Sequence, residues 1–298
     1  MKIIQVLGHP DDAGVDISAM LTSNQVRHVF NAKVIKECKR IPAKVQKDEL
    51  QNRKDLRNLL TVTIDGDDAK DFDDAISIVK NEKGYLLYVH IADVSHYVKE
   101  NSALDQEAYL RGNSIYVCDR VVPMLPFYLS NGLCSLNPNV DRLTISCAMQ
   151  VDEKGNLLTY NVFPSVIHSD KRCTYKKVNA CLDGDEKALE DYAEVKDLLF
   201  TLETLAKLLK KQSHHRGCID FNTKEAKICM DKNGYPIDVQ VLERGFAEQM
   251  LEECMILANV CVAHHMHVNK IPSMYRVHEN PDPKKVATIC PVANSLRI

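Results

Sequence analysis

The sequence predicts an α+β fold, a β-sheet core with long helices packed on it. Two observations carry this expectation. Apolar, β-branched segments separated by turn signals dominate from Leu59 to Ile167, and leucine-rich amphipathic segments follow.

Taken in order, residues 1–24 read as short and irregular, with "GHPDDAG" as a turn, and residues 25–34 as a short strand or helix. "KVQKDELQNRKDLRN", residues 44–58, is charged and lacks Gly and Pro, which suits an exposed helix or a linker. From Leu59 the texture changes. "LLTVTI" and "AISIV" give strands at 61–64 and 75–79, "YLLYVHIADV" gives a third, and "NEKG" at 81–84 is a hairpin turn. Three prolines and a glycine make residues 121–138 an ordered loop with short turns. Residues 143–167 form a hairpin through a turn at Asp152–Asn156. Leu198, Leu199, Leu202, Leu205, Leu208 and Leu209, at helical spacing, predict an amphipathic helix within 186–211. A second hairpin spans 225–241 around "DKNG", a long helix 247–268, and another helix begins near Pro283. The chain has no internal repeat and no low-complexity segment.

Its 298 residues are 45% hydrophobic and 27% charged, an ordinary globular composition with room for a sizeable core. A net charge of -3 argues against a protein that simply coats nucleic acid, although a locally basic channel is compatible with it. The eleven cysteines are scattered and form no CxxC, as expected of reduced thiols rather than a disulfide framework or zinc site. The start lacks a signal-peptide core, and no apolar run reaches the ~20 residues of a membrane span, so a cytoplasmic protein is expected.

"TIDGDDAKDFDDAISI", residues 63–78, stands out: six aspartates and one lysine lie between Asp65 and Asp74, flanked by strands. Like charges this close repel, and burial raises the cost. Two readings fit, a solvated acidic turn or a site for hard divalent cations such as Mg²⁺ or Mn²⁺, which favour carboxylate oxygen. In an extended segment Asp71 and Asp73 point one way and Asp74 the other, and Asp65 returns to them across a loop. An EF-hand is excluded. Counted from Asp65, Ala69 and Ile76 replace ligands; counted from Asp67, Phe72 stands where glycine is needed. Two metals in such a cluster would suit phosphate-ester hydrolysis.

The same stretch resembles the signature of the ribonuclease II/ribonuclease R (RNB) family of exoribonucleases. The resemblance continues from "YVHIADVSHYVKENSALDQEAYLRGNSIYVCDRVVPMLP" through "RCTYKKV", "RGCIDF", "EQMLEECMILANVCVA" and "MYRVHENPDP", in order along nearly the whole chain. It implies a mixed-sheet catalytic domain over 59–298, with 1–58 as a lead-in from a cold-shock (OB) domain plus a linker helix. It further implies a processive, hydrolytic 3′-to-5′ exoribonuclease that degrades single-stranded RNA to nucleoside 5′-monophosphates. Asp65, Asp71, Asp73 and Asp74 correspond to the family's Mg²⁺ ligands, with Mn²⁺ as an alternative ion; Asp67 and Asp68 are loop residues. Tyr116 matches the tyrosine that stacks on the 3′-terminal base and Phe221 the phenylalanine closing the other end of that stack. Tyr175 and Glu252 match residues that tell RNA from DNA. Read without the family, these four are ordinary core aromatics or a solvated helix face, although stacking suits sequence-tolerant single-strand binding and a polar group can read a 2′-OH.

The family's arginine-rich motif would fall beyond Ile298, so a C-terminally incomplete catalytic domain is expected, with an impaired RNA-binding module as the alternative function. A monomer without a small-molecule cofactor or a membrane partner is expected. His264, His265 and His267 in "HHMH" read as a helix-end cluster rather than a zinc site.

Overall fold

The computed structural model describes residue 3 and residues 5–219, 225–242 and 244–296. In chain order the elements are α1 (Val15–Ser23), α2 (Ala32–Cys38), β1 (Lys54–Asp55), β2 (Val62–Asp65), β3 (Asp74–Asn81), β4 (Gly84–Ala92), α3 (Val94–Tyr97) and α4 (Ala103–Arg111). Then come β5 (Ile115–Tyr116), β6 (Val121–Val122), β7 (Asp141–Val151), β8 (Leu157–His168), β9 (Lys171–Thr174), α5 (Tyr175–Leu182), α6 (Glu186–Asp191) and α7 (Lys196–His215). The last are β10 (Glu225–Met230), β11 (Pro236–Leu242), α8 (Phe246–Val268) and α9 (Pro283–Leu296).

Seven strands form the main sheet in the order β1-β8-β7-β4-β3-β2-β9. β1 pairs with β8 and β2 with β9 in parallel, and the remaining neighbours are antiparallel, so the sheet is mixed as expected. Its centre is built from the two long hairpins. "NEKG" closes the first, with Asn81 opposite Gly84 and Glu82 and Lys83 at the tip. Gly84 has φ +115°, and a Cβ there would lie 2.3 Å from the Val151 carbonyl, so glycine is required on both counts. The leucine stripe of α7 is buried as its spacing predicts: Leu198, Leu199, Leu202, Leu205 and Leu209 all face inward. Ala247, Met250, Leu251, Cys254 and Ala258 do the same on α8.

Five expectations need correction. Residues 1–24 are not irregular throughout, because α1 begins directly after the "GHPDDAG" turn. Residues 44–58 contain no α-helix; a single 3-10 turn at Asp48–Leu50 leads into β1, whose pairing with β8 is a tertiary effect that charge patterning cannot reveal. The 186–211 helix is two, α6 and α7. The break falls at Tyr192, which is buried and whose hydroxyl accepts the Thr174 N–H at 3.0 Å. The 121–138 loop carries β6 and a π-helical turn at Tyr128–Leu133. Residues 25–34 are mostly neither strand nor helix: 25–31 are irregular and α2 begins only at Ala32, capped by Asn31, which accepts the Val34 N–H at 3.0 Å.

The chain divides into two compact units, Met1–Asn259 and Val260–Ile298. The first holds the seven-stranded sheet, the two smaller two-stranded sheets and the functional cluster described below. The second holds the end of α8 and all of α9. No helix among the described residues is long and apolar enough to cross a membrane.

Candidate active site

The carboxylates meet where β2 ends and β3 begins. Asp65 is the last residue of β2 and Asp74 the first of β3. Phe72 organises the segment between them. Its ring is buried in a cluster with Leu56, Ala75, Leu136 and Ile167. Its N–H donates to Ser135 Oγ at 3.0 Å, and its carbonyl accepts the Leu136 N–H at 2.8 Å. In an extended segment the neighbours of an inward residue point outward. Asp71 and Asp73 line a common cavity of about 860 Å³, together with Asp65, Asp68, Tyr116 and Phe72 itself. Asp74 is not on that lining; it sits behind, on the first position of β3.

The opposite wall of the cavity is the 121–138 loop, through Met124, Leu125, Phe127 and Asn131. Arg142, almost fully buried, fastens this wall. Its guanidinium donates to the carbonyls of Ser135 at 2.7 Å and Gly132 at 3.0 Å.

The electrostatics follow from burial and mutual repulsion. Burial pushes Asp74 up to about 7, and the charges of Asp73 and Asp65 add to the shift. Burial also raises Asp65; the Gly66 N–H, donating at 2.6 Å, opposes this, while Asp73 and Asp71 push the same way. Asp73 is raised by burial and by Asp71. Asp74 Oδ2 is buried without a hydrogen-bond partner.

Among the described residues no three His, Cys, Asp or Glu side chains stand assembled as a metal-holding group. The donor set still fits a hard divalent cation. Its donors are carboxylates, three of them hold their protons more tightly than usual, and one buried oxygen lacks a partner.

The other sequence-predicted residues are placed unequally. Tyr116 ends β5 and lines the cavity, with its hydroxyl donating to Asp71 Oδ2 at 2.8 Å. Tyr175 reaches the cluster by register. Asp65 is paired with Thr174 across β2 and β9, and Thr174 caps α5, so Tyr175 opens the helix beside the carboxylates. Burial raises its hydroxyl well above the usual tyrosine range, with Asp65 and Asp74 adding to the effect. Glu252 is half-exposed on α8 and ion-paired with Arg244. Phe221 lies outside the described residues. Asp67 and Asp68 lie in the loop: the Asp67 carbonyl accepts from Arg172 at 2.6 Å, and Asp68 pairs with Lys227 at 2.7 Å while also lining the cavity. His264, His265 and His267 lie near the end of α8, and no metal-holding group among the described residues includes them.

Sequence reasoning missed two supports of the site. Arg172 bonds the carbonyls of Gly66 and Asp67 and lies over the Phe72 ring, 5.3 Å from its centroid. It thereby ties the aspartate loop to β9. Ser135 bonds both the Lys70 carbonyl and the Phe72 N–H. Arg172 lies inside "RCTYKKV", but its partnership depends on the parallel β2–β9 register, which no local pattern signals.

Residues 53–296 match the RNB domain family. The chain is 48% identical over 289 residues to ribonuclease R of Thermotoga maritima, covering 96% of this chain and 41% of that protein. It is 46% identical over 280 residues to ribonuclease R 1 of Lactococcus lactis, covering 94% of this chain and 34% of that one. In structure it is similar to Mycoplasma genitalium RNase R solved with ribose-methylated single-stranded RNA. The TM-score is 0.89 at 36% identity, covering 99% of this chain and 46% of that chain. The chain thus spans less than half the length of each of these proteins.

Proposed function

The chain belongs to the RNB domain family, and on that premise we propose that it is the catalytic part of a processive, hydrolytic 3′-to-5′ exoribonuclease. Its substrate is single-stranded RNA and its products are nucleoside 5′-monophosphates. One observation carries the proposal. Asp65, Asp71 and Asp73 share a cavity with the exposed ring of Tyr116, and Asp73 is next in the chain to the half-buried Asp74, whose Oδ2 is buried without a hydrogen-bond partner.

The roles follow from the chemistry. Asp65, Asp71, Asp73 and Asp74 would hold Mg²⁺, or Mn²⁺ in its place, in a two-metal site. When bound, such ions supply Lewis acidity toward the scissile phosphate and lower the pKa of water. The chain's own residues bind and orient. The Tyr116 ring offers a face on which any base can stack, which suits removal of nucleotides without regard to sequence. Phe221 is assigned the second stacking role by the chain's resemblance to the family alone. Tyr175, a protonated hydroxyl beside the carboxylates, and Glu252 on α8 recognise the ribose 2′-OH. The Phe72 anchor keeps Asp71 and Asp73 on the cavity side. Residues 59–298 form the catalytic portion and 1–58 the lead-in, in a monomeric cytoplasmic protein that needs no small-molecule cofactor.

A second reading is an RNA-binding module with impaired turnover. One experiment separates the two. The 298-residue chain is incubated with Mg²⁺ and 3′-labelled single-stranded RNA, alongside DNA of the same sequence. Labelled mononucleotide released from RNA alone supports the exonuclease, and RNA binding without release favours the module. Asp73→Asn is expected to lower turnover by ~10²-fold or more while RNA affinity stays within a few-fold. Degradation of DNA at the rate of RNA would overturn the ribonuclease reading, and equal loss of binding and turnover would make Asp73 a structural residue.

A further inference from the structure

Resting on that reading of the site, we propose that the Tyr116 hydroxyl is a positioning group for Asp71, coupling the ring offered to the RNA base to a carboxylate offered to the metal. A stacking platform needs only a π-face, which phenylalanine supplies as well as tyrosine. The hydroxyl therefore needs a separate explanation. It donates to Asp71 Oδ2 at 2.8 Å, between residues 45 apart in sequence. Among the described residues it is the sole hydrogen-bond donor to that carboxylate. Asp65, by contrast, is steadied by the Gly66 N–H.

The geometry suits orientation rather than competition. A carboxylate has about four lone-pair directions on its two oxygens. One bond to Oδ2 leaves lone pairs free on both oxygens and restricts the side chain's rotation. Tyr116 is itself fixed by the short β5–β6 ribbon, where it pairs with Val121. A tyrosine hydroxyl keeps its proton at neutral pH, so it serves as a donor there. Hydrogen bonds of this kind behind a metal-binding carboxylate are commonly worth 10–100-fold in metal affinity. A base leaning on the ring would press on the same tyrosine that aims Asp71, so RNA engagement and metal affinity should be linked.

The test uses Mn²⁺ as a probe, with free ion followed by electron paramagnetic resonance, on the 298-residue chain, Tyr116→Phe, Asp71→Asn and the double variant. Affinity for a fluorescent single-stranded RNA is measured separately in EDTA. Tyr116→Phe is expected to weaken Mn²⁺ binding by ~10-fold or more and to leave RNA affinity in EDTA unchanged. In the Asp71→Asn background the same change should have no further effect on Mn²⁺. Equal or tighter Mn²⁺ binding by Tyr116→Phe overturns the inference while leaving the site reading intact. An undiminished effect in the Asp71→Asn background also overturns it, because the hydroxyl would then act through another group. Failure of the unaltered chain to bind Mn²⁺ at all would instead overturn the reading on which the inference rests.

Discussion

Asp74 is a charge placed where charge is costly. Its Oδ2 is buried without a partner, and Asp73 and Asp65 are close enough to repel it. Asparagine has the same shape without the charge. Asp74→Asn is therefore expected to raise the melting temperature of the chain in chelator by a few degrees, equivalent to about 1–3 kcal/mol. It should also remove most of the stabilisation that a divalent ion gives the unaltered chain. A melting temperature that falls in chelator would show that the carboxylate has a stabilising partner. At this scale the site was partly legible. Six aspartates in ten residues advertise an unbalanced charge by composition alone, and alternation around Phe72 predicts that Asp71 and Asp73 share a side. Arg172 and Ser135 were not legible, because each touches the aspartate loop from a distant part of the chain.

Among the elements, the hairpins repeat what the sequence announces and the parallel pairs do not. A hairpin is local: "NEKG" between two alternating segments names both strands and their register. Its least replaceable residue is Gly84. Gly84→Ala would force a Cβ onto the Val151 carbonyl and an L-residue into a left-handed conformation. A loss of more than about 1 kcal/mol is expected, read as a lower urea midpoint, and a neutral result would mean that β4 and β7 can separate at that end without cost. The parallel partners of β2 and β8 come from 109 residues downstream and 111 residues upstream, taking Val62↔Lys171 and Lys54↔Ser165 as the pairs. Nothing local specifies them, and "KDLRN" around β1 reads as charged surface. Yet the β2–β9 pair is what puts Tyr175 next to Asp65, so the least legible pairing is the one that assembles the site. The α6–α7 break has the same origin: an amphipathic stripe shows which residues face inward, but not that the Tyr192 hydroxyl is taken by Thr174.

Across the whole molecule, the sheet is crossed by a buried polar line. It runs from Thr61 Oγ1 to Ser77 Oγ at 2.8 Å, to His90 Nε2 at 3.1 Å, and from His90 Nδ1 to Ser146 Oγ at 2.6 Å. It ends at Ser165 and Thr144, with every member fully buried. Each group is satisfied by the next, so the line fixes the relative position of β3, β4, β7 and β8 as long as His90 stays neutral. Burial holds the His90 imidazole down to about 3. Against an unfolded value of ~6.5, the unfolded chain binds the proton more readily. The histidine's contribution is therefore complete above about pH 6.5 and is lost toward pH 3, at up to about 1.4 kcal/mol per pH unit. Asp74 works with the opposite sign: a carboxylate raised to about 7 gains stability as pH falls toward its unfolded range. A single stability curve mixes the two, whereas the difference between the unaltered chain and His90→Gln isolates the histidine. That difference, from urea midpoints at pH 8 to 4.5, is expected to favour the unaltered chain at pH 8 and to shrink steadily below pH 6.5. A constant difference would mean that protonated His90 finds a partner inside the sheet. Because β3 carries both Ser77 and Asp74, acid that breaks the line also loosens the strand that sets the aspartates apart, and the fold and the site should fail together.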